Sequence, residues 1–236
     1  MTIKIRYTLF LLASLTLLGF SWPFSWLFSH PNNEPFGTQA WLEKQIRIIE
    51  SQSSGLDPTI IRLSLIAYMK ARAQGLDDKQ LLTIIDYSKP STEKRLWVFD
   101  LKNGKNLFYT WVSHGKNSGG LNATSFSNAL GSLKSSLGVF VTTGETYMGG
   151  DGYSLRIKGL EPGINDNAYR RDVVIHGAWY VGPTVARQYG EIGRSWGCPA
   201  VSKELAKPII DTIKENTLIF AYYPDQTWLS HSHYLT

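Results

Sequence analysis

Val173-Val174-Ile175-His176-Gly177 and Arg194-Ser195-Trp196-Gly197-Cys198-Pro199-Ala200, with 22 positions from histidine to cysteine, decide how this chain is read. The first is a short apolar, β-branched run, which predicts a buried strand delivering His176 at its end. The second reads as a turn. Gly197 lets a backbone or a substrate come close to the neighbouring thiol, and Pro199 biases Cys198 toward extended geometry. Cys198 is the single cysteine of 236 residues, so it closes no internal disulfide. A lone cysteine can be a buried hydrophobe, an intermolecular link or a nucleophile. The neighbours favour the nucleophile, which needs a base to make the thiolate and donors for an oxyanion. His176 is the candidate base. The Gly197 and Cys198 N–H groups are candidate donors, and a backbone carbonyl near Gly177 is a candidate orienter of the imidazole.

Around this pair the pattern is β. Lys94–Leu101 and Lys105–Val112 flank Asn103-Gly104, the strongest short-range hairpin signal. Residues 113–137 are rich in Ser, Asn and Gly and read as a long loop. Strands follow from Gly138 to Tyr147 and over Tyr153–Ile157, about a Gly149-Gly150-Asp151-Gly152 turn. One helical turn, Thr184–Tyr189, fits between His176 and Cys198. Ser202 opens a helix over residues 203–215 that Pro208 bends or delays, and Thr217–Tyr222 is a closing strand.

Ahead of Lys94 the periodicity is helical. Trp41, Leu42, Ile46 and Ile49 recur at helical spacing across residues 38–52. Asp57-Pro58 is an N-cap and first helical position, opening a helix that closes near Gly75. Asp77 with Gln80 predicts a capping box for a short helix through Ile85. The expected fold class is therefore α+β, with a helical N-terminal lobe over residues 38–92, a β-rich catalytic domain over 93–224 and a solvated tail over 225–236.

Lys4 and Arg6 precede an uncharged, largely apolar stretch, so residues 1–28 read as a signal peptide or, with residues 8–28 uncleaved, as a membrane anchor. Residues 29–37 look like a linker. Both readings export the chain, to the periplasm or cell envelope. Structural cysteines outside the cytosol come in pairs, which again favours a reactive thiol. The formal charge of +5 and pI near 9.2 come from dispersed Lys and Arg, which gives nucleic acid little support as a partner.

A strand ending in His-Gly, roughly twenty residues, then Ser-x-Gly-Cys and a late helix resembles the L,D-transpeptidase (YkuD-type) catalytic domain. The form with Gly-Cys-Pro-Ala is most similar to the murein L,D-transpeptidase catalytic domain subgroup. The resemblance runs from about Lys94 to Tyr222 and includes Val112-Ser113-His114-Gly115. It also includes Ser136-Leu137-Gly138-Val139-Phe140, which resembles the family's strand before the substrate cleft. It implies mixed sheets or a β-sandwich, with Cys198 as nucleophile and His176 as proton carrier. Ser195, Trp196 and Gly197 would form the turn that presents the thiol. The implied partners are peptidoglycan stem peptides, attacked between the L-centre of a diamino acid and a terminal D-alanine. A thioacyl-enzyme would then pass to an amine, giving a cross-link, or to water, giving L,D-carboxypeptidase or stem-peptide hydrolase activity. No metal or organic cofactor is implied.

The chain departs from the family's pattern at two positions. Trp196 stands where a histidine often does, and Ala200 where an Arg or Asn does. Arg194 is the expected replacement contact for a substrate carboxylate, and His114 is a further candidate in substrate binding. A non-catalytic wall-binding protein is the rival from another class. His231 and His233 could serve a cysteine-before-histidine order, but only 38 residues follow Cys198. A zinc site from His114, His176 and Cys198 lacks a fourth ligand. Oligomeric state stays open.

Overall fold

The computed structural model describes residues 34–236, so the signal or anchor over residues 1–28 and most of the linker lie outside the described residues. Among the described residues no helix is long and apolar enough to cross a membrane. Thr38 and Asp57 open the first helices by accepting from the N–H groups of Trp41 and Thr59. These are α1 (Gln39–Gln52) and α2 (Pro58–Ala73), whose apolar faces bury Trp41, Leu42, Ile46, Ile60, Ile61 and Leu65.

The third expected helix is a strand. The Gln80 N–H does donate to Asp77 Oδ2 at 3.1 Å, as a capping box requires. Gln80 is left-handed, however (φ 58°), and the chain leaves it extended as β1 (Leu81–Asp86). All six residues of β1 are buried: strands pair with both its edges, and its side chains join the core that α1 and α2 share with the sheet. A run buried on both faces loses the alternation that marks a strand in sequence.

The remaining strands are β2 (Leu96–Asp100), β3 (Lys105–Thr110), β4 (Gly138–Gly149), β5 (Gly152–Gly159), β6 (Val174–Ala178), β7 (Ala200–Ser202) and β8 (Leu218–Tyr222). They join in one mixed eight-stranded sheet of order β3-β2-β1-β8-β4-β5-β6-β7. The pairs β1–β8 and β6–β7 are parallel and the rest antiparallel. α3 (Pro183–Tyr189) lies between β6 and β7, and α4 (Lys203–Ile213) packs on β5, β6 and β7. α1 and α2 share one apolar core with the strands, Ile49, Leu65, Ile84, Phe220 and Ile210 all belonging to it. A boundary at residues 92/93 would part β1 from its hydrogen-bonded neighbour β2.

The expected tail also folds. α5 (Gln226–His231) buries Trp228, whose indole N–H meets the Glu161 carboxylate at 3.2 Å while its ring packs on Phe220 and Tyr222. Ser232 donates to the same buried carboxylate. His231 and His233 are exposed on this segment.

Candidate active site

The β6–β7 pairing builds the site. His176 lies opposite Ala200 and Gly177 opposite Val201. Two residues before Ala200, Cys198 therefore comes level with Val174, and the Val174 N–H donates to Cys198 Sγ at 3.4 Å. His176 stands two residues further along β6, on the same face and about 7 Å of strand away. It lies in the middle of β6 rather than at its end, since the strand continues through Gly177 and Ala178 beside β7. Gly177 has a packing task. A Cβ there would sit 2.9 Å from Ala206 Cβ and 3.1 Å from Lys203 Cα, so only glycine lets α4 approach this closely.

Both side chains line one cavity of about 590 Å³. The His176 Nδ1 is 3.2 Å from the Gly177 carbonyl oxygen. A carbonyl only accepts, so Nδ1 carries the proton and Nε2 keeps its lone pair. Gly177 is thus an orienting residue through its carbonyl. The thiol donates to the Asp172 carbonyl at 3.6 Å, and among the described residues no hydrogen bond joins it to His176. Burial pushes the half-buried thiol up to about 11, while the Val174 N–H pulls it back down.

Ser195 shapes the turn. Its hydroxyl donates to the Cys198 carbonyl at 2.6 Å and accepts from the Gly197 N–H at 3.1 Å. This corrects the expectation that the Gly197 N–H serves an oxyanion, because it is already spent on Ser195. The Cys198 N–H donates to no protein group among the described residues and is the free donor at the thiol. Gly197 is left-handed (φ 124°), and a Cβ there would lie 2.8 Å from the Lys134 carbonyl oxygen.

Trp196 and Arg194 also line the cavity. Trp196 is 76% exposed, with Lys116 Nζ 5.8 Å from its ring centroid, so it is a rim residue rather than a core one. Arg194 donates to the Gly119 carbonyl at 3.2 Å and pairs with Glu191 at 3.4 Å. His114 is not at the cavity. It is buried behind the cysteine turn, its Nδ1 2.7 Å from Arg95 Nη2 and its Nε2 3.3 Å from the Gly119 carbonyl. Desolvation first, then the Arg95 charge, hold it down to about 4. Its place is structural.

Arg171 was not among the expected site residues. It lines the cavity and donates to Ser127 O and Lys134 O at 2.6 Å, Ser136 Oγ at 2.5 Å and Ser132 Oγ at 3.1 Å. It clamps the serine-rich loop beside the cysteine turn. Ser135 completes the seam, accepting from the Gly115 N–H at 3.0 Å and donating to the Gly197 carbonyl at 3.2 Å. Tyr147, Asp151 and Tyr180 are further lining residues. Asp151 and Gly150 read in sequence only as turn formers.

A family model for the L,D-transpeptidase catalytic domain matches residues 52–222, reaching back to the end of α1. No curated protein matches the chain. Among solved structures it is similar to an L,D-transpeptidase from Mycobacterium smegmatis, with 16% identity over 61% of this chain and 59% of that one and a TM-score of 0.37. It is also similar to a fused Zn-dependent amidase/peptidase/peptidoglycan-binding domain-containing protein from Clostridium acetobutylicum, with 20% identity, 72% and 64% coverage and a TM-score of 0.36. An L,D-transpeptidase from Stackebrandtia nassauensis matches at 12% identity, 84% and 96% coverage and a TM-score of 0.37. The chain spans about three fifths of the length of the first of these.

Proposed function

Since the chain belongs to the L,D-transpeptidase catalytic domain family, we propose that it is an exported cysteine acyltransferase that cross-links peptidoglycan stem peptides through a thioacyl-enzyme on Cys198. The observation that carries this reading is the shared cavity, with the thiol level with Val174 and the imidazole two residues further along β6 on the same face. Export rests on the charge and apolar pattern of residues 1–28.

With its pKa pushed up to about 11, the thiol holds almost no thiolate at neutral pH. Deprotonation therefore accompanies attack. The thiol turns from the Asp172 carbonyl toward the ring, and His176 Nε2 takes its proton. Sulfur then adds to the carbonyl between the diamino acid and the terminal D-alanine. The Cys198 N–H donates to the oxyanion that forms. As the C–N bond breaks, His176 returns the proton to the leaving D-alanine nitrogen, and a thioester remains. An amine from a second stem resolves it to the cross-link. Water resolves it to a trimmed stem. Arg194, already at the rim, receives a substrate carboxylate.

Intact-mass spectrometry tests this reading. Incubation with a tetrapeptide stem or a carbapenem gives a covalent adduct on Cys198. Cys198→Ser and His176→Ala fold normally and form none. Normal adduct formation by either variant overturns its assigned role, and an added amine distinguishes transfer from hydrolysis. Unchanged substrate affinity in Arg194→Ala removes Arg194 from the site.

A further inference from the structure

Three consecutive peptide groups cross the cysteine turn, and Ser195 holds the outer two. Its hydroxyl accepts from the N–H of the Trp196–Gly197 peptide and donates to the C=O of the Cys198–Pro199 peptide. The middle peptide, Gly197–Cys198, carries the N–H that stays free at the thiol among the described residues. Its C=O is held from a distant part of the chain. Ser135 Oγ donates to it at 3.2 Å, across 62 positions of sequence.

Ser135 is a fixed pin, 1% exposed. Its N–H donates to Ser118 Oγ at 2.9 Å, and its carbonyl accepts from the Ser127 N–H at 3.0 Å. Its hydroxyl accepts from the Gly115 N–H at 3.0 Å. An N–H only donates, so this contact leaves the Ser135 proton for the Gly197 carbonyl. The fit is close. A Cβ on Gly115 would sit 3.0 Å from Gly197 Cα and 2.9 Å from the Ser135 nitrogen. A buried serine ordinarily satisfies backbone groups and does nothing more. The neighbouring Ser136 is of that kind, donating to the Ser127 carbonyl at 3.0 Å and accepting from Arg171. Ser135 differs because the backbone group it satisfies shares an amide with the free donor.

We propose that Ser135 is a positioning residue for the oxyanion: by holding the Gly197 carbonyl it aims and polarises the Gly197–Cys198 peptide, so that the Cys198 N–H meets the acyl carbonyl on the thiol. The inference rests on the acyl-enzyme reading above. In a trans peptide the C=O and N–H point in opposite directions. Fixing the carbonyl against the buried serine loop therefore turns the N–H away from that loop. Gly197 has no Cβ to restrain rotation of the peptide, so the aim depends on the serine. A hydrogen bond accepted by the C=O also draws charge through the amide and strengthens its N–H as a donor. Ser195 fixes the flanking peptides, and Ser135 fixes the one that does the stabilising.

The test reads the acyl carbonyl itself. A carbapenem labelled with carbon-13 at the lactam carbonyl acylates Cys198, and isotope-edited infrared spectroscopy gives the C=O stretch of the adduct. Ser135→Ala moves the stretch to higher frequency, because a misaimed and weaker N–H polarises the carbonyl less. Ser135→Cys keeps the size of the side chain and a weak donor, guards against a fold too loose to assay, and gives a frequency between the two. Ser136→Ala cuts contacts in the same loop and leaves the wild-type frequency. The limiting acylation rate of Ser135→Ala falls about tenfold, less than the 10²–10³ of a donor removed outright, while the half-saturating concentration holds. The stretch is read on acylated protein only, so the folded fraction does not enter it. A wild-type frequency in both Ser135 variants, or an equal shift in Ser135→Ala and Ser136→Ala, overturns the positioning role and leaves the acyl-enzyme standing. No adduct on wild-type Cys198 overturns that reading and takes the positioning role with it.

Discussion

His114 and His176 each precede a glycine and each follow short apolar or small residues, yet their rings live in different chemistry. Arg95, which has no acceptor, donates to His114 Nδ1, so that nitrogen is bare and the ring is neutral, its Nε2–H turned to the Gly119 carbonyl. The guanidinium also holds the Val112 and Lys89 carbonyls and lies 5.4 Å from the Tyr87 ring centroid. His176 has no such neighbour. Its Nδ1 rests on the carbonyl of the next residue and its ring faces the cavity that Cys198 lines. The dipeptide His-Gly is thus compatible with a structural ring or a cavity ring. What separates them is whether a buried cation has already claimed the nitrogen that a base must keep free.

The comparison breaks first on kinetics. His176→Gln lowers the rate of Cys198 acylation by about 10²–10⁴-fold, the usual worth of a general base, whereas His114→Gln stays within about threefold of wild type, as expected of a site away from the reacting atoms. Rapid-quench mass spectrometry of the adduct reads both. An equal fall in the two variants would erase the distinction.

Arg95→Ala tests why His114 is silent. It leaves the Val112 and Lys89 carbonyls without their side-chain donors in a buried setting, at a cost of about 2–4 kcal/mol in urea unfolding. In the same variant the His114 pKa, read by NMR, rises from about 4, because the Arg95 charge is removed while the burial remains. An unmoved His114 would assign its depression to burial alone.

Acid stability sharpens the same point. His114 is held at about 4 in the fold against 6.5 when free. Between those values the unfolded chain binds more protons than the folded one, so stability from this group is full above about pH 6.5 and is lost as pH falls toward 4. At about 1.4 kcal/mol per pKa unit the loss reaches roughly 3 kcal/mol. Urea midpoints at neutral and acid pH measure it. The His114→Gln variant lacks this component of the slope, and an identical slope in that variant would refute the assignment.

Much of this was legible in the sequence where local chemistry decides. Asn103-Gly104 turns a hairpin between β2 and β3, and Val174-Ile175 forms the buried strand that carries His176. Gly197-Cys198-Pro199 makes a turn with the thiol at the cavity. Partners distant in sequence were not legible. β1 read as a helix because Asp77 does accept from Gln80, and nothing local announces that β8 will lie along it. β7 is only three residues long, too short for a periodic signal, yet it brings Cys198 level with Val174. Arg171 finds its acceptors in a serine-rich loop that composition marks only as irregular. His114 looked like a site residue because its arginine lies on another strand's approach, 19 positions upstream.

The smallest effect comes from the residue that joins the two regions. The Ser195 N–H donates to the His114 carbonyl at 3.0 Å, and the Ser195 carbonyl accepts from the Lys116 N–H at 2.8 Å. Its hydroxyl faces the other way, holding the Gly197 N–H and the Cys198 carbonyl. Ser195→Ala cuts the hydroxyl contacts and spares the backbone ones. Stability falls by about 2 kcal/mol, the net worth of two neutral hydrogen bonds. Acylation slows severalfold as the thiol's turn loosens, and the His114 resonances and pKa stay put. If His114 shifts instead and the acylation rate holds, the hydroxyl serves the loop rather than the turn. The cysteine turn would then be held by the Ser135–Gly197 contact and by the Val174 and Asp172 backbone contacts to Cys198.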